Sequence, residues 1–151
     1  MVQSAPVRWL GLDVGTRTIG VAVCDEGERV ASPLRTLERH GGARDLEAVA
    51  AVARETGAAG LVLGLPLDLE GREGDAALRV RRLGDRLAAR LGCPVELWDE
   101  RFSTVAAERA LLEADVSRRR RKQVVNHVAA ALILQGYLDA RGGSAGEEGT
   151  S

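Results

Sequence analysis

One carboxylate, Asp13, closes the apolar run Trp9-Leu10-Gly11-Leu12 and opens onto Val14-Gly15-Thr16-Arg17, after which a second apolar run, Thr18-Ile19-Gly20-Val21-Ala22-Val23, begins. A strand, a glycine turn and a second strand would hold Asp13 where the backbone has no bulky neighbours. Two chemistries use that arrangement: metal-dependent phosphodiester cleavage, in which the acid is a cation ligand, and nucleotide phosphate binding. Two more polar groups stand at expected element ends. Asp99-Glu100-Arg101 follows the short run Val95-Glu96-Leu97-Trp98, and Asn126-His127 lies near the start of an almost wholly apolar helical stretch. None of these decides the matter singly, since an Asp at a strand end is as often a turn or cap residue and an Asp-Glu-Arg run is commonly a solvated loop.

The segment Ser117-Arg118-Arg119-Arg120-Arg121-Lys122 is the main electrostatic signal. It sits where a helix should begin. Cations at a helix N-terminus oppose the macrodipole, each by about 0.3–1 kcal/mol, so stability does not explain the run. Phosphate contact does: Ser117, the exposed backbone N–H groups and Arg118, Arg119, Arg120, Arg121 and Lys122 together would seat a nucleic-acid backbone. A solvated basic patch, or a surface that pairs with an acidic C-terminal segment, is the alternative reading.

The elements that must position these residues follow from apolar spacing. Strands are expected over 7–13 and 18–25, joined as a hairpin, and over 29–36, where Pro33 demands an edge or a bulge. Asp45 to Thr56 has Leu46, Val49, Ala50 and Ala53 at helical spacing and is closed by Gly57. Leu61 to Leu65 is a wholly apolar strand, Asp68 to Gly74 a polar glycine-rich loop, and Ala76 to Leu91 a helix ended by Gly92. A last strand spans 95–98. Ser103 or Thr104 then caps a helix through Ala114, and a final helix runs from near Ser117 to Ala140. Three strands able to form an antiparallel meander, followed by strand-helix alternation, predict an α/β fold: a five-stranded mixed sheet, antiparallel and then parallel, flanked by helices on both faces. Ligands gather at the carboxyl ends of the central strands, where Asp13 lies.

Composition bounds the reading. With 151 residues, 45% hydrophobic, the chain suits a single domain, expected over 7–141, with 1–6 loose and 142–151 a small, acidic, disordered tail. Its net charge of −1 argues against a protein that coats nucleic acid by bulk electrostatics and leaves room for a local basic patch. Cys24 and Cys93 lie far apart, with no CxxC, and are expected as reduced, buried thiols. No membrane span or signal peptide is visible, and a cytoplasmic protein is expected.

Taken together, Gly-Leu-Asp-Val-Gly-Thr-Arg-Thr-Ile-Gly-Val-Ala, Leu-Gly-Leu-Pro with Gly71 and Gly74, Trp-Asp-Glu-Arg-Phe-Ser-Thr, Ala-Asp-Val-Ser and Ala-Leu-Ile-Leu-Gln-Gly-Tyr-Leu resemble the bacterial YqgF family, also called RuvX, of ribonuclease-H-like nucleases. The resemblance covers Trp9 to Asp139. It implies a nuclease that matures the 5′ end of 16S ribosomal RNA; some members are described as resolvases of branched DNA. It also implies Mg²⁺ or Mn²⁺, which hard oxygen ligands favour over zinc. In a two-metal phosphodiesterase, clustered carboxylates hold the ions about 3.5–4 Å apart, one to make hydroxide from water and one to stabilise the leaving oxygen. Without a cation, carboxylates ~4 Å apart repel by as much as ~4 kcal/mol at an effective dielectric near 20.

Carried onto this chain, the family pattern makes Asp13 the first ligand and Glu100 the second. Asp99 would point to the opposite side, to orient the loop or pair with Arg101, or simply to face solvent. The third position departs from the pattern: relatives usually have Asp where this chain has Asn126, whose amide oxygen can ligate Mg²⁺ but brings no charge and cannot act as a base. A weakened nuclease would result. Relatives often have Asn where this chain has Asp68, so Asp68 would supply the charge Asn126 lacks, the alternative being an acid in a solvated loop. His127 lies about 100° around the helix from Asn126 and would bind a phosphate, shuttle a proton or, more commonly, pack. Arg17 and Arg101, beside the two acids, join the basic run as expected nucleic-acid contacts.

Two other classes compete. An actin-like or sugar-kinase-type ATPase shares the opening hairpin, but holds nucleotide between two related domains, and this chain has length for one. A non-enzymatic nucleic-acid-binding module would use the basic run and carry a decayed acidic cluster. Partners are thus structured RNA precursor or branched DNA, with the protein a monomer or a homodimer; cutting both strands of a junction needs a symmetric dimer.

Overall fold

The computed structural model describes residues 8–25, 27–68, 70–100 and 128–142. Strands β1 (Trp9–Val14), β2 (Thr18–Cys24), β3 (Ala31–Glu38), β4 (Gly60–Leu65) and β5 (Val95–Asp99) form one sheet in the order β3-β2-β1-β4-β5. β1, β2 and β3 pair antiparallel, whereas β1 with β4 and β4 with β5 pair parallel. This is the mixed sheet expected from the order of elements.

Side-chain alternation along the strands builds a separate core on each face. Leu10, Leu12, Ile19, Val21, Leu61, Leu63 and Leu65 pack against Val49, Val52 and Ala53 of α1 (Gly42–Thr56) and against Val80, Leu83 and Leu87 of α2 (Asp75–Leu91). The other face carries Trp9, Ala22, Cys24 and Val62, covered by Ala129, Ala130, Ile133, Leu134 and Leu138 of α3, helical over residues 128–142. β4 is buried along its whole length, which is why its sequence is continuously apolar rather than alternating.

Several boundaries differ from the expected ones, most by one or two residues. β3 starts at Ala31, two residues late, because the Asp25 carboxylate accepts the N–H groups of Arg29 (2.8 Å) and Val30 (3.1 Å) and holds them in the turn. Those bonds also pull the Asp25 carboxyl below its ordinary range. Pro33 is accommodated as its chemistry requires: β3 is an edge strand, and its register with β2 slips between Val21, opposite Arg35, and Ala22, opposite Pro33. α1 begins at Gly42, before Asp45, and α3 continues through 142, one residue into the expected tail. The expected helix from 103 or 104 to 114, the start of the last helix near Ser117, and the loose ends 1–6 and 143–151 lie outside the described residues.

Candidate active site

Asp13 lies on β1 opposite Gly20 of β2, close to the carboxyl end of the strand. It shares a face with Trp9 and Gly11 by alternation, and that face belongs to α3: a Cβ on Gly11 would stand 2.7 Å from both the Ala130 carbonyl oxygen and Leu134 Cβ. The parallel register of β1 with β4 ends at Leu12 opposite Leu63, so the next pair sets Asp13 beside Gly64. Gly64 has the same orientation, since a Cβ there would come within 2.5 Å of Ile133 Cδ1 and 2.8 Å of Glu100 Oε1. The Glu100 carboxylate therefore occupies the space directly over Gly64. Adjacent strands are about 4.7–4.9 Å apart, which brings this carboxylate to the column next to Asp13, on the same face and at the same edge of the sheet.

The neighbours of this pair separate as the alternation demands. Asp99 is paired with Leu65, a member of the core on the α1/α2 face, so its strand position belongs to the side opposite Glu100. Arg17 is exposed in the turn after β1. Asp68 is exposed beyond β4 and organises its own loop: its Oδ1 accepts the N–H groups of Glu70 (2.9 Å) and Arg72 (2.8 Å), and Oδ2 accepts the Arg72 Nε–H at 2.9 Å. Asn126 and His127, Arg101, Ser117 and the run Arg118 to Lys122 lie outside the described residues. Among the described residues no three acidic, histidine or cysteine side chains gather as a metal-holding group. The two carboxylates on one face are hard oxygen donors of the kind Mg²⁺ and Mn²⁺ take, and the bare Gly64 leaves room for them.

A second network supports the turn that follows Asp13. The Gly15 N–H donates to the Thr18 carbonyl at 2.9 Å and closes the hairpin. Arg39, just past β3, reaches back: its Nη1 donates to the Gly15 carbonyl at 2.8 Å, its backbone N–H donates to the Arg17 carbonyl at 2.8 Å, and its Nε donates to Asp45 Oδ2 at 3.1 Å. Asp45 is 2% exposed, the single buried charged side chain among the described residues. It also accepts the N–H groups of His40 (2.8 Å) and Gly41 (3.2 Å). Burial pushes the Asp45 carboxyl up, but the His40, Arg39 and Gly41 hydrogen bonds and the Arg39 charge outweigh it and hold the group below its ordinary range. Sequence reading took Asp45 only as the start of a helix. The available signal was His40-Gly41-Gly42, consecutive backbone donors before a helix that need an acceptor.

The cysteines behave as small apolar groups. Cys24 is buried, accepts the Trp9 N–H at 3.2 Å and has its thiol pKa raised by burial; Cys93 is half-buried, with the same cause and direction.

A family model, RuvX, described as a Holliday junction resolvase, matches residues 7–140. A Myxococcus xanthus protein named "Putative pre-16S rRNA nuclease" is 54% identical over 134 residues, covering 89% of each chain. Proteins of the same name from Symbiobacterium thermophilum and Moorella thermoacetica are each 51% identical, covering 87% and 90% of this chain and 91% and 97% of their own. Among solved structures, Thermus thermophilus RuvC in complex with Holliday junction substrate superposes with a TM-score of 0.57 at 16% identity, over 91% of this chain and 97% of that one. That likeness is one of fold, ribonuclease-H-like.

Proposed function

The chain belongs to the RuvX family, and from that premise we propose that it is a metal-dependent endonuclease of structured nucleic acid, acting in 5′-end processing of pre-16S rRNA. The observation that carries the reading is the Glu100 carboxylate seated over Gly64, in the column beside Asp13. Two carboxylates in adjacent columns of one sheet face repel each other, and a cation bound between them turns that repulsion into attraction. Asp13 and Glu100 would hold Mg²⁺ or Mn²⁺, with the Asn126 amide oxygen as the uncharged third ligand; Asp68 would add a further carboxylate only by giving up its bonds to Arg72. The ion, when bound, supplies Lewis acidity to the scissile phosphate and to the attacking water. The chain's own part is to fix two carboxylates on one rigid sheet face, so that little reorganisation is needed when a phosphodiester arrives. Arg17, Arg101 and the run Ser117 to Lys122 would track the phosphate backbone and orient it without reading bases. A ribosomal precursor as substrate goes with action in the cytoplasm. No helix among the described residues is long and apolar enough to cross a membrane.

The description of the matching family favours one second reading, cleavage of branched DNA at a four-way junction. It differs in its requirement for two copies, since symmetric cuts in two strands need a two-fold dimer. The test sets a pre-16S precursor with its 5′ extension beside a four-way DNA junction, each with Mn²⁺ or Mg²⁺, while the protein's mass in solution is measured. Metal-dependent cleavage of the RNA is expected, falling by about 10²-fold or more in Asp13→Asn because a charge-stabilising ligand is worth several kcal/mol. Cleavage of the junction alone by a dimer would transfer the function to DNA. Binding to either substrate without Asp13-dependent cleavage would leave a binding module.

A further inference from the structure

The one buried charge among the described residues, Asp45, lies in α1 and is paired with Arg39, in the connection between β3 and α1. The other ion pairs that join separate elements show how different it is. Arg90–Glu47 (2.7 Å) and Arg35–Glu55 (2.9 Å) are exposed on both sides, whereas the Asp45 side chain is 2% exposed and Arg39 23%. Removing a carboxylate from water costs several kcal/mol unless its lone pairs are filled, and here they are filled by His40, Gly41 and Arg39. The fixed end of that network is Asp45, inside the first turns of α1. Its working end is the Arg39 guanidinium on the Gly15 carbonyl, two residues beyond Asp13, together with the Arg39 backbone N–H on the Arg17 carbonyl. A tight turn closed by one backbone bond, Gly15 to Thr18, is thus tied at two further carbonyls to a buried anchor on another element.

We propose that Arg39, anchored by Asp45, is a positioning residue for the cation site: it locks the turn over Gly15 to Arg17 and thereby keeps the Asp13 carboxylate in register with Glu100. The guanidinium suits this because its planar fork reaches two acceptors on different elements at once, which a lysine ammonium at the same place cannot do in fixed geometry. Outer partners that orient a ligand typically cost 10–100-fold in metal affinity when removed, and a brace acting through the backbone belongs at the lower end of that range.

The inference rests on the reading of Asp13 as a cation ligand, so its test must separate the two. Mn²⁺ binding to the full chain is followed by calorimetry, without nucleic acid, for the wild type and for Asp13→Asn, Arg39→Gln, Arg39→Lys, Asp45→Asn and Glu47→Gln, with melting temperatures alongside. Asp13→Asn is expected to abolish binding. Arg39→Gln and Asp45→Asn are expected to weaken it about tenfold, and Arg39→Lys, which keeps the charge and guards against a misfolded variant, to fall between them and the wild type. Glu47→Gln removes an exposed ion pair between α1 and α2, remote from the turn, and is expected to leave affinity unchanged. Wild-type affinity in both Arg39→Lys and Arg39→Gln, while Asp13→Asn binds nothing, overturns the positioning role and leaves the metal reading intact. An equal loss in Glu47→Gln also overturns it, by showing that affinity follows general stability. Unchanged binding in Asp13→Asn overturns the metal reading and the positioning role together.

Discussion

A side chain at position 64 would have to displace both Ile133 of α3 and the Glu100 carboxylate just past β5. The Cβ of an alanine would stand 2.5 Å from Ile133 Cδ1 and 2.8 Å from Glu100 Oε1, both inside van der Waals contact. Gly64→Ala should therefore lower stability by about 1–3 kcal/mol through overpacking. It should also push the Glu100 carboxylate off its place and weaken Mn²⁺ binding. The Glu100 end is a rotatable side chain, so the two effects need not scale together; denaturant unfolding and Mn²⁺ calorimetry on the same variant separate them. Unaltered metal affinity would remove Glu100 from the ligand set. Asn126 offers the converse experiment. Exchange of its amide for a carboxylate adds charge at the third position, and Asn126→Asp is expected to tighten Mn²⁺ binding by roughly tenfold. If affinity does not rise, the third ligand of this chain lies elsewhere, Asp68 being the next carboxylate to substitute.

At the scale of elements, the sheet was legible because its determinants are local: apolar runs in β1, β2 and β4, glycines ending α1 and α2, and Pro33 forcing a slip at an edge. The pairing of Asp13 with Glu100 was legible only through family resemblance, since periodicity alone does not say which residue of Asp99-Glu100 turns towards α3. What could not be read are contacts between elements remote in sequence. The Gln135 amide illustrates this: its Oε1 accepts the Ala31 N–H at 2.8 Å and its Nε2 donates to the Arg29 carbonyl at 2.7 Å, joining α3 to the end of the β2–β3 hairpin. Nothing local to either segment announces the other. The Asp45 brace is of the same kind, and its electrostatics give a further test. Because the folded protein holds the Asp45 carboxyl below its ordinary value of 3.8, the unfolded chain binds that proton more readily, and folding gains stability as pH rises. That contribution is complete above about pH 5, where the unfolded carboxyl is also ionised, and is lost as pH falls through the lower folded value. The difference in unfolding free energy between wild type and Asp45→Asn is accordingly expected to be constant at neutral pH and to shrink in acid. A difference that is flat down to pH 2 would mean that the carboxylate gains nothing from its buried partners.

Across the whole molecule the charge is nearly balanced, at −1, so any strong attraction for a polyanion has to be local. Counterion release makes that statement quantitative. Each cation that neutralises a phosphate contributes about 0.7–0.9 to the slope of log affinity against log salt concentration, the smaller figure for single strands and the larger for duplex. If the run Arg118, Arg119, Arg120, Arg121 and Lys122 tracks the backbone, glutamine at all of these positions should flatten the slope by about 3.5–4.5. Removal of charge elsewhere should not. Arg79, Arg82 and Arg86 provide the comparison, for they are exposed at helical spacing along α2, which packs on the sheet face opposite to that of Asp13 and Glu100. Glutamine at those positions changes net charge in the same direction and is expected to leave the slope within about one unit of the wild type, the value of a single phosphate contact. Fluorescence anisotropy with a labelled precursor RNA, titrated with potassium chloride, reads both variants. Equal flattening by the two would mean that the nucleic acid responds to total charge and not to a built seat, and the basic run would then lose its role in orienting the scissile phosphate over the carboxylates.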